Sequence, residues 1–130
     1  MPDYFDKVRS YLLELEYDIV QEDADGDVLI VEKPDEGIVN LLIGCADPLL
    51  IMEQVLLDLP AEQPEVLRSL LMKNREIVHG AFALDDSGRL LFRDTLQLEN
   101  LDLNELEASL NSLSLLLSEY ADELIRFSKL

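Results

Sequence analysis

The fold of the C-terminal half follows from residues 77–106, which are IVHGAFALDDSGRLLFRDTLQLENLDLNEL. Large side chains alternate with small or charged ones on both sides of the triplet DSG, which is the pattern of two strands that each bury one face. A three-residue hairpin loop places its glycine in the left-handed conformation, and Gly88 occupies that position. We therefore predict a β-hairpin centred on residues 86–88.

The predicted register sorts the side chains of this hairpin onto two faces. Phe82 lies opposite Phe92 and Leu84 opposite Leu90, which gives an apolar face that belongs in the core. Alternation sends their neighbours to the other face, where Arg93 is expected in solvent because an unpaired cation is costly to bury. This outward face is either a recognition surface, a plain solvated face or one covered by the protein's own helix. Our prediction is partner recognition by His79, Ala81, Leu91, Arg93 and Thr95.

Upstream of the hairpin the residue spacing predicts one helix and several strands. Residues 2–16 place apolar side chains three and four apart, as an amphipathic helix does. Two runs around ADG at residues 24–26 predict a tight hairpin in which the Asp-Gly pair supplies the positive φ. A turn at residues 34–37 leads into two further runs, which are separated at Asp47-Pro48 because proline removes a ladder donor.

The run from residue 50 to residue 58 fits either a strand or a short helix. Its apolar residues are compatible with helical spacing, but Ile51 and Val55 are β-branched and Pro60 closes the run. We therefore favour a strand.

Two further helices are predicted. Pro64 suits the first turn of a second helix that ends at residues 73–75 (KNR), where cations complement the helix dipole. A long helix follows Asp102, an N-cap candidate with Glu105 three residues later. Its apolar residues alternate three and four apart, which fits a helix packed on the sheet or the seam of a coiled coil, and we favour the first.

Composition excludes several classes of partner. The formal charge of −18 on 130 residues repels phosphate backbones and anionic lipids, so we predict no binding to nucleic acid or membrane. This acidity serves either solubility or attraction to a basic partner. Residues 1–17 lack the basic start and unbroken apolar run of a secretory signal, and the single cysteine cannot pair within the chain, which together predict a cytoplasmic protein.

The sequence carries no pattern of an active site or metal site. Counting from Asp23, a calcium loop would need glycine at its sixth position and glutamate at its twelfth, where the chain has Val28 and Pro34. One histidine and one cysteine do not make a zinc motif. Hydrolysis would require His79 to activate Cys45 or a serine, and nothing in the sequence brings such groups together. We predict no catalytic residue, metal or cofactor.

The element order and residues 59–110 (LPAEQPEVLRSLLMKNREIVHGAFALDDSGRLLFRDTLQLENLDLNELEASL) resemble the type III secretion chaperones and the related YbjN family of bacterial proteins. The most specific part runs from the GAFALD hairpin into the last helix. The resemblance implies a type III secretion chaperone-like α+β fold over residues 1–130 as one domain. Its order is helix, antiparallel strands, helix, β-hairpin and long C-terminal helix.

The same resemblance implies a function. These families are small, acidic, non-enzymatic and commonly dimeric, and the secretion chaperones wrap an extended client segment around apolar patches. We therefore expect a cytoplasmic, non-enzymatic module that binds a polypeptide partner. A homodimer is expected because the chain carries more apolar stripe than one thin sheet can cover and because the family often dimerises through its second helix or neighbouring strands. The alternatives are a regulator of signalling or motility with a small-molecule pocket, and a hydrolase that uses His79.

Overall fold

Three α-helices and six strands make up residues 3–59 and 63–130, the parts of the chain that the computed structural model describes. They follow one another as α1 (Tyr4–Glu14), β1 (Asp18–Asp23), β2 (Val28–Lys33), a 3-10 turn (Pro34–Glu36), β3 (Ile38–Ala46), β4 (Leu49–Asp58), α2 (Pro64–Asn74), β5 (Ala81–Leu84), β6 (Arg89–Gln97) and α3 (Leu103–Ser128). All strands pair antiparallel in one sheet of order β1-β2-β3-β4-β6-β5. The predicted α+β fold and its element order are confirmed.

The ambiguous run at residues 50–58 is a strand. It forms the body of β4, which pairs with β3 on one side and with β6 on the other. As a strand, this run forms backbone hydrogen bonds with two neighbouring strands, and these tertiary contacts override a spacing of apolar residues that also fits a helix. Pro2 and Pro60, expected to start the first helix and to close this run, lie outside the described residues.

One face of the sheet is buried beneath α1 and α3. Leu29, Ile43 and Met52 are cross-strand neighbours on this covered face, and each is at most 1 % exposed. The predicted seam of α3 packs here rather than against a partner helix. Its most buried members are Leu106, Leu110 and Leu113. The predicted N-cap also forms, since the Asp102 carboxylate accepts a hydrogen bond from the Glu105 amide at 2.7 Å.

The C-terminal hairpin has the predicted register. Phe82 pairs with Phe92 and Leu84 with Leu90, and Gly88 adopts a φ of 81° in the loop. Phe82 and Phe92 point into the core beneath α3, where the ring of Phe82 lies 6.0 Å from that of Tyr120.

The first hairpin departs from the prediction in its turn. Gly26 does not adopt a positive φ; the left-handed residue is Asp27, with a φ of 55°. The Asp27 amide donates to the carbonyl of Ala24 at 3.3 Å, so residues 24–27 form a four-residue turn whose last residue is the left-handed one. The longer loop moves that position one residue beyond the Asp-Gly pair, and aspartate tolerates it better than most side chains do.

The side chain of Asn74 closes the β5 edge of the sheet. Its amide group donates to the carbonyl of Phe82 at 3.1 Å and accepts from the Phe82 amide at 2.8 Å. These are the two bonds that a neighbouring strand would make. The end of α2 is thereby fastened to β5.

Matched substitutions on α3 test this packing. Leu113 is fully buried whereas Leu115, two residues on, is 65 % exposed. We expect Leu113→Ala to lower the free energy of unfolding by about 2–5 kcal/mol, because it leaves a cavity beneath the helix. Leu115→Ala is expected to change that free energy by less than about 0.5 kcal/mol. Urea denaturation followed by circular dichroism measures both, and equal losses would contradict the helix orientation.

Candidate partner-binding surfaces

The face of the sheet opposite the core is called here the open sheet face. Alternation places on it the side chains that lie between the buried positions of each strand. Register pairs Ile51 with Thr95 and Val55 with Leu91 across β4 and β6. Its apolar side chains are Val28, Ile30, Leu42, Ile51, Val55, Ala81, Ala83 and Leu91.

Several of these apolar side chains remain in contact with solvent. Leu42 is 37 % exposed and Val55 is 45 % exposed. Leu91 is only 4 % exposed, between its register partners Val55 and Ala83, yet it does not belong to the core cluster. A run of apolar side chains that crosses four adjacent strands on a surface is typical of an interaction site.

An ion pair lies in the middle of this face. The Arg93 guanidinium donates to the carboxylate of Glu53 at 2.5 Å, across β4 and β6. The next side chains in the same row are Leu42 beside Glu53 and Ala81 beside Arg93. Both charged side chains are partly exposed, so the pair adds little to stability and is available to a partner.

The structure brings four of the five sequence-predicted site residues together. Ala81, Leu91, Arg93 and Thr95 share the open sheet face. The prediction that His79 joins them is wrong. His79 precedes β5, and its backbone carbonyl accepts a hydrogen bond from the Ser112 hydroxyl of α3 at 2.7 Å, which places it on the helix side of the sheet.

The chain turns at Gly80, which explains this correction. Gly80 has a φ of 80°, and a Cβ there would collide with the ring of Phe92. Strand alternation therefore begins only at Ala81, and it cannot be extended back to His79.

Sequence reasoning missed the β3 and β4 half of the open sheet face. The position of β4 between β3 and β6 places Leu42, Ile51 and Val55 on the same face as the predicted binding residues. The alternation within residues 49–58 carries the signal, but the sequence does not say which strand pairs with which.

A second exposed apolar surface lies along α2 and the segment that follows it. Leu71 is 71 % exposed, Met72 is 56 % exposed and Val78 is 84 % exposed. The buried side chains of α2 are Val66 and Leu70. The outward side of α2 thus carries large apolar side chains in contact with solvent.

The single cysteine is half-buried beside acidic residues. Cys45 lies in β3, and its amide donates to the Asp27 carbonyl at 2.9 Å. Burial, followed by the charges of Asp27 and Asp3, raises the pKa of its thiol to about 11. Within the described residues no three histidine, cysteine or carboxylate side chains are grouped as metal ligands are.

Helix length and hydropathy also bear on membranes. Among residues 3–59 and 63–130, none of the helices is sufficiently long and apolar to span a bilayer.

Solved structures that share this architecture include YbjN, which is described as a transcription regulator, and type III secretion chaperones. YbjN from E. coli superposes with a TM-score of 0.71 at 16 % identity, over 94 % of this chain and 93 % of that one. The Yersinia pestis type III secretion chaperone SycH, solved in complex with a stable fragment of YscM2, gives 0.62 at 16 % identity, over 97 % and 100 %. The HopA1–SchA chaperone–effector complex gives 0.61 at 14 % identity, over 97 % and 94 %. At these identities the likeness is one of fold.

The sequence itself settles the family. The type III chaperone family CesT_Tir_1 matches residues 1–130, and the chain belongs to it. The predicted resemblance is thereby confirmed. No curated protein matches the chain.

The environment of Cys45 predicts a slow thiol. Because only the thiolate reacts, raising the pKa from 9.0 to about 11 lowers the thiolate fraction at pH 8 about a hundredfold. We expect Ellman's reagent to modify the native protein far more slowly than the urea-unfolded chain, and the native rate to rise steadily from pH 8 to pH 10. Equal rates in the two states at pH 8 would contradict the shift.

Proposed function

We propose that this protein is a cytoplasmic, non-enzymatic module that binds a polypeptide partner on its open sheet face. The observation that carries the proposal is the exposed apolar surface crossing β3, β4, β6 and β5 with the Glu53–Arg93 pair at its centre. Apolar side chains supply the burial, and the ion pair gives polar groups that a partner backbone or side chain can contact. Ala81, Leu91, Arg93 and Thr95 form the β5 and β6 part of the proposed site.

Family membership supports a polypeptide as the ligand. SchA and SycH, which share this fold, were each solved with a bound polypeptide. The chain itself belongs to the type III chaperone family CesT_Tir_1, whose members are chaperones rather than enzymes. An apolar surface open to solvent suits an extended segment better than a small molecule, which prefers an enclosed site.

The two alternative functions have less support. A small-molecule regulator requires a pocket that is closed around converging polar groups. The clefts among the described residues are instead open to solvent. In the described chain no carboxylate or nucleophile is hydrogen-bonded to the His79 ring, so the geometry gives no support to a histidine-dependent hydrolase.

The homodimer is proposed to form through α2. Leu71 and Met72 project from this helix into solvent, and Leu67 and Pro64 extend the same surface. Two copies of one apolar helix face can cover each other about a two-fold axis. This surface is separate from the open sheet face, so a dimer leaves the proposed partner site accessible.

The first test concerns partner binding. Partners are co-purified from the native cell with the tagged protein and identified by mass spectrometry. We expect the Leu42→Glu/Val55→Glu variant to lose its partner, because two carboxylates on the open sheet face remain hydrated and prevent apolar burial. Ile125→Glu is the matched control, since Ile125 is 53 % exposed on α3, and it is expected to retain the partner.

Circular dichroism and melting temperature show whether both variants fold. Retention of the partner by a folded Leu42→Glu/Val55→Glu protein would overturn the proposed site.

The second test concerns the homodimer. Static light scattering is expected to give twice the chain mass of 14.8 kDa at micromolar concentration. Leu71→Glu/Met72→Glu should give the monomer mass, because two charges replace the contacts of the α2 face. A wild-type mass of 14.8 kDa across a hundredfold concentration range would contradict the dimer.

A further inference from the structure

A cleft separates α3 from residues 76–79, the segment that connects α2 to β5. Its volume is about 210 Å³. For comparison, an engineered apolar cavity of ~150 Å³ holds a benzene ring. The cleft, called here the α3 cleft, is therefore large enough for one large apolar side chain.

The interior of the α3 cleft is apolar. Ile77, Ala108, Leu115 and Leu116 line it, and Leu116, at 3 % exposure, lies deepest. Leu115 is 65 % exposed and Val78 is 84 % exposed at its mouth. These side chains gain burial when an apolar group enters the cleft.

The walls of the cleft are held in place before any ligand arrives. The Ser112 hydroxyl donates to the His79 carbonyl at 2.7 Å and ties the connecting segment to α3. The hydrogen bonds between Asn74 and Phe82 hold the two ends of that segment together. A preformed site loses little conformational entropy on binding.

The rim of the cleft is acidic. Glu76 and Glu119 both line it, and Glu119 makes no ion pair with any residue in 3–59 or 63–130. Among the described residues the Glu76 carboxylate forms an ion pair only with Arg75, at 3.5 Å, and the two side chains, 68 % and 79 % exposed, are well screened by solvent. Burial, followed by the charges of Glu119, Glu76 and Glu123, raises the pKa of Tyr120 at the same rim.

We propose that the α3 cleft binds a short polypeptide segment in which one large apolar side chain is flanked by Lys or Arg. The apolar side chain fills the interior, and the flanking cations approach Glu76 and Glu119. The site lies on the helix side of the sheet, whereas the open sheet face lies on the other. This proposal rests on the proposed function only in taking a polypeptide as the ligand. It also assigns His79 to the wall of the α3 cleft.

The test is an NMR titration of the isotope-labelled full-length chain with the capped pentapeptide Gly-Lys-Phe-Lys-Gly. We expect saturable amide shifts confined to residues 76–79 and 108–120. Gly-Glu-Phe-Glu-Gly, with the charges reversed, and Gly-Lys-Ala-Lys-Gly, without the large side chain, should each bind at least about tenfold more weakly.

Variants of the chain locate the site. Leu115→Asp should weaken binding of the Lys-flanked peptide by about tenfold or more, and Glu119→Gln by about threefold. Leu115→Ala should weaken binding severalfold. Because Leu115 is 65 % exposed, this variant is expected to fold, and it tests the site even if Leu115→Asp does not fold. The matched controls Ile125→Asp and Glu107→Gln should bind as the wild type does.

The Leu42→Glu/Val55→Glu variant should also bind the peptide normally, so failure of the open sheet face and failure of the α3 cleft are distinguishable. Equal binding of the Glu-flanked peptide, or undiminished binding by folded Leu115→Asp and Leu115→Ala, would overturn the proposal. So would a dimer that Leu115→Asp converts to monomers, because the occupant would then be a second copy of the chain.

Discussion

The packing of α3 across one face of the six-stranded sheet is the interaction on which the rest of the structure depends. Leu106, Leu110 and Leu113 cover that face and leave its opposite side without the same burial. The hydroxyls of α3 also fasten two distant loops, since Ser112 donates to the carbonyl of His79 and Ser114 to that of Glu36. One helix thus fixes the core and the connections at both ends of the sheet.

Most cationic side chains of this acidic protein are engaged in ion pairs, and one of these pairs joins two helices. The chain has 10 Lys and Arg and 28 Asp and Glu side chains. Within residues 3–59 and 63–130, six of the cations form ion pairs: Arg9, Lys33, Lys73, Arg75, Arg89 and Arg93. Lys73 is the most buried of these six. Lys73 forms an ion pair with Glu123, and its ammonium lies over the rings of Tyr120 and Phe127. These contacts join α2 to α3. With so many cations engaged, the remaining carboxylates give the surface a net field that attracts basic partners.

The open sheet face follows from the way the helices cover the sheet. A sheet one layer thick has two faces, and helices cover only one of them here. Val55 and Leu42 on the uncovered face therefore meet solvent. On the helix side, Leu115 and Val78 beside the α3 cleft are also exposed. These surfaces lie on opposite sides of the molecule, which allows an extended polypeptide to contact both.

The sequence by itself determined the local elements of this protein. Alternation around the DSG triplet predicted the β5–β6 hairpin and its register, and the Asp102 cap with its apolar seam predicted α3, because these features depend on neighbours within one segment. The family was also recognisable from residues 59–110. Local rules failed where one residue shifts the geometry: Asp27 rather than Gly26 takes the left-handed position.

Only the tertiary structure decided how the elements combine into surfaces. The pairing of β4 with β6 brought Val55 to Leu91 and Glu53 to Arg93, although each pair is about forty residues apart in the chain. The turn at Gly80, whose φ of 80° ends the strand alternation, places His79 at the α3 cleft and not on the predicted open face, and the ring of Phe92 occupies the space that a Cβ at residue 80 would need. Strand order and side-chain packing are long-range contacts, and periodicity within a segment does not encode them.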